Sequence, residues 1–371
     1  MIGRKVKVIG NNQRKTIISI FYQGENIKDK NLYMDLYAPC QEEFVNTFKG
    51  MVDRNSDELK KEYLRNLEID VKDNADIIRG NNKFPVIIHC VGLGCPRDYM
   101  TFNTEALVNA GYIVVTVGHI YDSMLTIFPE GEVIKADTDD LSWDDKMKII
   151  DKRIEDITAV IDYIYELGSK DSMFKDRVDM DKVGISGHSL GAAAAIGTVC
   201  RDSRIKSVII YDGSIQFMDY LNEKAVKISV PVLNFRRGNF DYGSSMEGFI
   251  DFAGKNFSDE KFKKQVMNYH RVLVSSRKNQ IHLWDSIEAY KSFIRFKEVN
   301  HIAFSDYSIL RGIEKESKSF TVKEVHNVIN DISVRFFDEF LMGEKGKYSA
   351  FVTNNKYISI ISKEGFDIRK K

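Results

Sequence analysis

Val183-Gly-Ile-Ser-Gly187-His188-Ser189-Leu190-Gly191-Ala192-Ala-Ala-Ala195 is the stretch that decides how this chain folds. An apolar run (Val183 to Ile185) leads into Gly-x-Ser-x-Gly, and an alanine-rich segment (Ala192 to Val199) follows with the composition of a helix. A strand that turns at once into a helix brings two backbones too close for a Cβ on either side. Glycines two before and two after Ser189 meet that need. Such a turn holds its apex residue in strained geometry, with the side chain above the end of the sheet. The four alanines let the helix lie tightly on the strands. Ser186 lacks the glycine spacing, so Ser189 is the candidate nucleophile. Leu190 opens the helix and offers an unpaired backbone N–H beside it, aided by the helix dipole.

The 371 residues suit one large α/β domain with insertions, and 43% hydrophobic content suffices for a substantial core. Lys+Arg and Asp+Glu both count 54, giving zero formal charge, so no nucleic-acid partner is expected. Cys40, Cys90, Cys95 and Cys200 are too scattered for a disulfide framework. The Cys90/Cys95 spacing does not match the usual zinc patterns either, so no metal is expected. No apolar run approaches the roughly 18–20 residues that span a bilayer. Met1 to Asn12 is polar and basic, without the apolar stretch of a signal peptide, so a cytoplasmic location is expected. A secreted or membrane-tethered parent, and peripheral contact with a membrane, stay open. The oligomeric state is not legible.

Without repeats or linkers, residues 1–371 read as a single domain. Thr16 to Tyr22 and Leu32 to Tyr37 read as an antiparallel opening pair, and the charged residues 41–80 as partly helical, for example Asp57 to Leu67. Strand and helix signals then alternate, as a mostly parallel sheet with helices on both faces requires. Strands are expected at Phe84 to Cys90, Tyr112 to Val117, Lys182 to Ile185, Ile205 to Tyr211, Val230 to Phe235 and Phe293 to Glu298. Helices are expected at Phe102 to Asn109, Ser142 to Leu167 (closed by Gly168) and Val322 to Leu341, with a peripheral strand at Tyr357 to Ser362. Residues 240–292, aromatic and charged, interrupt the alternation. They are read as a helical cap or as helices completing the surface, with both readings open.

A serine at a strand-to-helix elbow is the nucleophile position of the α/β-hydrolase fold, where the chain order is serine, acid, then histidine, each after a strand. His89, His119 and His188 precede the serine, and His188 is expected to point away from it. His270 and His282 lie in the interrupting segment, and His326 lies inside a helix. His301, just after the last core strand, is the candidate base. For the acid, spacing leaves Asp212, after Ile205 to Tyr211, and Asp241, after the following strand.

These residues carry a further likeness. The chain resembles the plasma-type platelet-activating-factor acetylhydrolases and their bacterial relatives, a branch of the α/β-hydrolases. It does so in the Gly92-Leu93-Gly94 turn after Val86 to Cys90, in Gly187-His-Ser-Leu-Gly191, in Asp212, and in His301-Ile-Ala-Phe304-Ser305-Asp306. His119-Ile-Tyr-Asp122 through Phe128-Pro129-Glu130-Gly131 resembles a loop of the bacterial members. The resemblance implies Asp212 rather than Asp241 as the acid, and the Leu93 N–H as the second oxyanion donor beside Leu190. The family's usual histidine before the turn is absent here, where Cys90-Val91 stand.

The expectation is a serine esterase acting on a small-molecule or lipid ester, through an acyl-enzyme and without metal or organic cofactor. The resemblance implies a preference for short or oxidised acyl groups and phospholipid-type esters. A serine peptidase or acyltransferase on the same residues, and a non-catalytic binding protein of this fold, are the rival readings.

Overall fold

In the computed structural model, residues 1–10, 15–25, 31–54, 57–138, 140–222, 226–238, 242–256 and 258–365 are described, and the strand Ile205–Tyr211 shows how the core is built. Every residue of it but Lys206 is buried, and successive side chains enter opposite cores. Val208 and Ile210 meet the helices Trp143–Lys170 and Leu190–Val199 on one face. Ile209 and Tyr211 meet the helices Thr101–Asn109 and Val322–Phe340 on the other. Burial on both faces is why these strands read as unbroken apolar runs.

The parallel block of the sheet runs in the order Ile113–Gly118, Phe84–Cys90, Val178–His188, Ile205–Tyr211, Val232–Arg236, Lys291–Phe296. Ile358–Ile360 adds an antiparallel edge beyond Lys291–Phe296. At the other side Lys15–Gln23 lies antiparallel on Ile113–Gly118, followed by Ile2–Gly10 and then Val71–Asp73. The elbow strand is therefore central, and the strands that end in Asp212 and near His301 lie to one side of it. This is the α/β-hydrolase arrangement expected from the sequence. No helix among the described residues is long and apolar enough to cross a membrane.

Three local expectations are corrected. The antiparallel partners of Lys15–Gln23 are Ile2–Gly10 and Ile113–Gly118, not Leu32 to Tyr37, most of which is the 3-10 turn Tyr33–Tyr37. Asp57 to Leu67 is helical only over Lys61–Arg65, and Gln41–Arg54 is the longer helix of that region. Gly168 does not close its helix, which runs on to Lys170. A Cβ there would lie 3.0 Å from the Val178 Cβ, so this glycine serves a close helix-to-strand approach instead. Residues 242–286 form two helices, Tyr242–Asn256 and Asp259–Ser286, before the last parallel strand.

The elbow glycines are the tightest of these approaches. A Cβ on Gly187 would sit 2.5 Å from the Gly191 carbonyl oxygen, and one on Gly191 would collide with the carbonyl oxygens of Cys90 and Val91. Neither obstacle is a flexible side chain. Gly191→Ala is expected to destabilise the fold by at least about 1–3 kcal/mol, the usual cost of overpacking. Gly248→Ala, in a helix with nothing within 4 Å of the new Cβ, is expected to be neutral or to stabilise by about 0.5–1 kcal/mol. Urea unfolding of the two variants checks the contrast.

Candidate active site

The elbow turns as its sequence requires. Ser189 has φ +54° and ψ −121°, a region L-residues seldom occupy, and it caps the helix Leu190–Val199 without a side-chain bond to it. Its backbone is fixed by Ser189 N–H donating to the Tyr211 carbonyl at 3.1 Å and by the Ser214 N–H reaching the Ser189 carbonyl at 2.8 Å. The side chain is half-buried, and its Oγ lies 3.0 Å from His301 Nε2 and 3.4 Å from Ser214 Oγ.

Asp212 stands directly after Ile205–Tyr211, also at positive φ (+39°), and its side chain is buried. Burial alone would raise its pKa. Arg236 at 3.5 Å, the bond from His301 and Arg237 at 3.5 Å outweigh that and hold the carboxyl well below its ordinary range. The Arg237 backbone N–H donates to Oδ1 at 3.2 Å. An ionised carboxylate only accepts hydrogen bonds, so at 2.6 Å it requires the proton on His301 Nδ1. Nε2 is then the bare nitrogen, facing the serine hydroxyl.

His301 sits at the start of a 3-10 turn, His301–Phe304, capped by Asn300, whose side chain accepts from the N–H groups of Ile302 (3.0 Å) and Ala303 (3.2 Å). The far end of this loop is anchored by buried Asp306. Its carboxyl accepts from Thr101 N–H (2.8 Å), Thr101 Oγ1 (2.7 Å), Phe102 N–H (3.3 Å) and Tyr33 OH (3.0 Å). Gly238, just after Val232–Arg236, lets the segment carrying Arg237 lie close against the loop that leads to His301, since a Cβ there would lie 2.6 Å from Glu298 N.

The structure thus brings Ser189, His301 and Asp212 into one hydrogen-bonded line. Asp241 lies outside the described residues. Leu190 opens the elbow helix, where its N–H has no intrahelical partner. The turn that carries Leu93 is adjacent, because a Cβ on Gly92 would come within 3.3 Å of Ser189 Cβ. Among the described residues, no group of three or more His, Cys, Asp or Glu side chains is placed to hold a metal ion.

His188, expected to point away from Ser189, makes its contacts with His301. Its ring packs on His301 with centroids 4.6 Å apart, and its Nε2–H donates to the His301 carbonyl at 3.1 Å. Burial, and then the neighbouring His301, push its pKa down to about 3, so it stays neutral and adds no charge beside the relay. Sequence reasoning also missed Ser214, Arg236, Arg237 and the anchoring role of Asp306. Two adjacent arginines directly after a core strand were the available signal for the acid's environment. The remaining histidines are committed elsewhere or distant in chain. His89 bonds Ser186 Oγ at 2.6 Å, His119 pairs with Asp156 at 2.9 Å, and His326 stacks on Phe102.

The positive φ of Ser189 stores strain of about 1–3 kcal/mol. Ser189→Gly is therefore expected to unfold at higher urea concentration than Ser189→Ala, since only glycine relieves it. Equal midpoints would mean that the turn is not strained.

The whole architecture has a solved counterpart. A ferulic acid esterase from Streptomyces cinnamoneus superposes with a TM-score of 0.70 at 18% identity, over 97% of this chain and 96% of that one, which shows the shared fold. In sequence, a probable 1-alkyl-2-acetylglycerophosphocholine esterase of Arthroderma benhamiae is 23% identical over 36% of this chain and 33% of its own length. A platelet-activating factor acetylhydrolase of Cavia porcellus is 23% identical over 39% of this chain and 38% of its own. The matches thus span only 33% and 38% of the two relatives' lengths. The model of platelet-activating factor acetylhydrolase, isoform II, covers far more, matching residues 1–156 and 147–358, and the chain belongs to that family.

Proposed function

We propose that this protein is a serine carboxylic-ester hydrolase in which Ser189 is the nucleophile, His301 the base and Asp212 the orienting acid. The observation that carries the reading is the line from Asp212 Oδ2 to His301 Nδ1 (2.6 Å) and from His301 Nε2 to Ser189 Oγ (3.0 Å) at a strained elbow. On this reading Nε2 takes the serine proton as Oγ attacks the ester carbonyl. The N–H groups of Leu190 and Leu93 receive the developing oxyanion. His301 then gives its proton to the leaving alkoxide, leaving an acyl-serine. A water molecule, deprotonated by the same nitrogen, releases the acid. Asp212 holds the tautomer and stabilises the imidazolium in both halves.

The names of the relatives favour an acetyl or other short acyl ester of a glycerophospholipid type as substrate. The helices Tyr242–Asn256 and Asp259–Ser286 support a cap role for residues 240–292. Asn279 of the second helix donates to the Ile215 carbonyl at 3.0 Å, next to Ser214. Between this pair and the start of Trp143–Lys170 lies a cavity of about 570 Å³ lined by Trp143, Phe217, Phe249, Tyr269, Lys146 and Arg271, among others. Aromatic walls with cationic rims suit a remote part of an ester substrate, in particular one with an anionic group.

Ser189→Ala is expected to lower turnover of p-nitrophenyl acetate by at least about 10³, and Asp212→Asn by about 10⁴. Both variants should keep a native circular dichroism spectrum. A folded Ser189→Ala variant within tenfold of wild type would end the reading. Across p-nitrophenyl esters, acetate and butyrate should be cleaved faster than palmitate. The reverse order, with activation at a lipid interface, would indicate a lipase.

A further inference from the structure

Arg153 stands in the middle of the helix Trp143–Lys170 on the face that buries Ile150, Ile154 and Ile157, and its side chain is 1% exposed. Its guanidinium makes two sets of contacts. Nε donates to Asp122 Oδ2 at 2.9 Å, and Nη2 pairs with Asp122 Oδ1. The other side reaches the turn after the strand Phe84–Cys90, with Nη1 to the Val91 carbonyl at 2.6 Å and Nη2 to the Gly92 carbonyl at 3.1 Å. Residues around Asp122 hold the same turn from its other side. The Gly94 N–H donates to the Asp122 carbonyl (2.9 Å), Met124 N–H to the Gly94 carbonyl (3.0 Å) and Ser123 Oγ to the Cys95 carbonyl (3.0 Å).

We propose that Arg153, locked by Asp122, is a positioning residue for the oxyanion hole: it sets the direction of the Leu93 N–H. The geometric link is the peptide plane. The Gly92 carbonyl and the Leu93 N–H belong to one trans peptide and point in opposite directions. The Gly92 carbonyl accepts from the Cys95 N–H within the turn at 3.3 Å and, more closely, from the buried guanidinium outside it; fixing the carbonyl there fixes the N–H on the far side, and Gly92 itself lies against Ser189. A donor on that carbonyl also polarises the peptide, which makes the N–H a better donor.

A purely architectural role fits this position less well. Burial opposes the charge of Arg153, and Asp122 restores it so that its pKa stays raised. Replacing a buried ion pair by apolar side chains of similar volume is often neutral or stabilising. Besides Asp156, which is held by Thr16 and His119, the buried face of this helix is apolar around Arg153, where Ile150, Ile154 and Ile157 pack, so packing alone calls for a hydrophobe. What a hydrophobe cannot do is grip two successive carbonyls and both carboxylate oxygens with one planar fork, and lysine cannot do it either.

The inference rests on the proposed role of Leu93. Its test compares an oxygen ester with the matching thionoester, whose C=S sulfur is larger and a poorer hydrogen-bond acceptor. Oxyanion donors favour the oxygen ester alone. Wild type is expected to prefer the oxygen ester strongly in kcat/KM. Arg153→Met and Arg153→Lys should lose about 10²–10³ in kcat on the oxygen ester, as for loss of one oxyanion donor, with KM within about threefold. On the thionoester they should lose less than about tenfold, so that the preference collapses. Asp122→Asn should shift it in the same direction by less. Equal losses on both esters, or an unchanged preference in folded Arg153→Lys, would overturn the positioning role. A wild-type enzyme that cleaves both esters alike would instead sink the oxyanion reading on which it rests.

Discussion

The carbonyl oxygens of Cys90 and Val91 occupy the place that any side chain on residue 191 would need. That close approach sets the position of the elbow helix against the neighbouring strand. It puts the start of the helix, with its unpaired N–H groups, beside the turn Gly92-Leu93-Gly94, and it leaves Ser189 at positive φ between them. The segment leading into that turn, Cys90-Val91, lies against the helix backbone at Gly191. The turn itself is gripped by Arg153. A site built by backbone contact on a central strand is rigid because main chain, unlike a side-chain tip, has no alternative rotamer.

Electrostatics complete what packing begins. Asp212 is buried, and an isolated carboxylate there would be neutral. Two arginines from the next strand end and a backbone N–H keep it charged, and that charge is what specifies the His301 tautomer. His188 is the complement. Packed against the His301 ring and held neutral by burial, it supports that ring without competing for the proton. Accessibility divides along the same line, since the acid is 2% exposed and the histidine 34%.

Much of this was legible in the sequence, because the elbow, the buried strands and the chain order of serine, acid and histidine are local patterns. What was not legible depends on partners distant in chain. Ile2–Gly10 carries Arg4, Lys5 and Lys7 and reads as a polar terminus, yet Arg4 is buried because Asp73 (2.6 Å) and Asp98 (3.0 Å) neutralise it. Leu32 to Tyr37 has the composition of a strand but curls into a 3-10 turn whose Tyr33 hydroxyl reaches Asp306. The packing of His188 on His301, and the reach of Arg153 from its helix to Val91 and Gly92, join segments that share no spacing. Between Asp212 and Asp241 the choice came from resemblance; Asp212 hydrogen-bonds His301, and Asp241 lies outside the described residues.

The central claim is that Ser189, and no other serine, is activated. The most direct measurement is intact-mass and peptide mapping after treatment with a fluorophosphonate ester. The account predicts a single phosphonyl adduct per chain, on Ser189, formed at least a hundredfold more slowly in His301→Ala. No adduct on the folded protein, or one placed on Ser186 or Ser214, would contradict it.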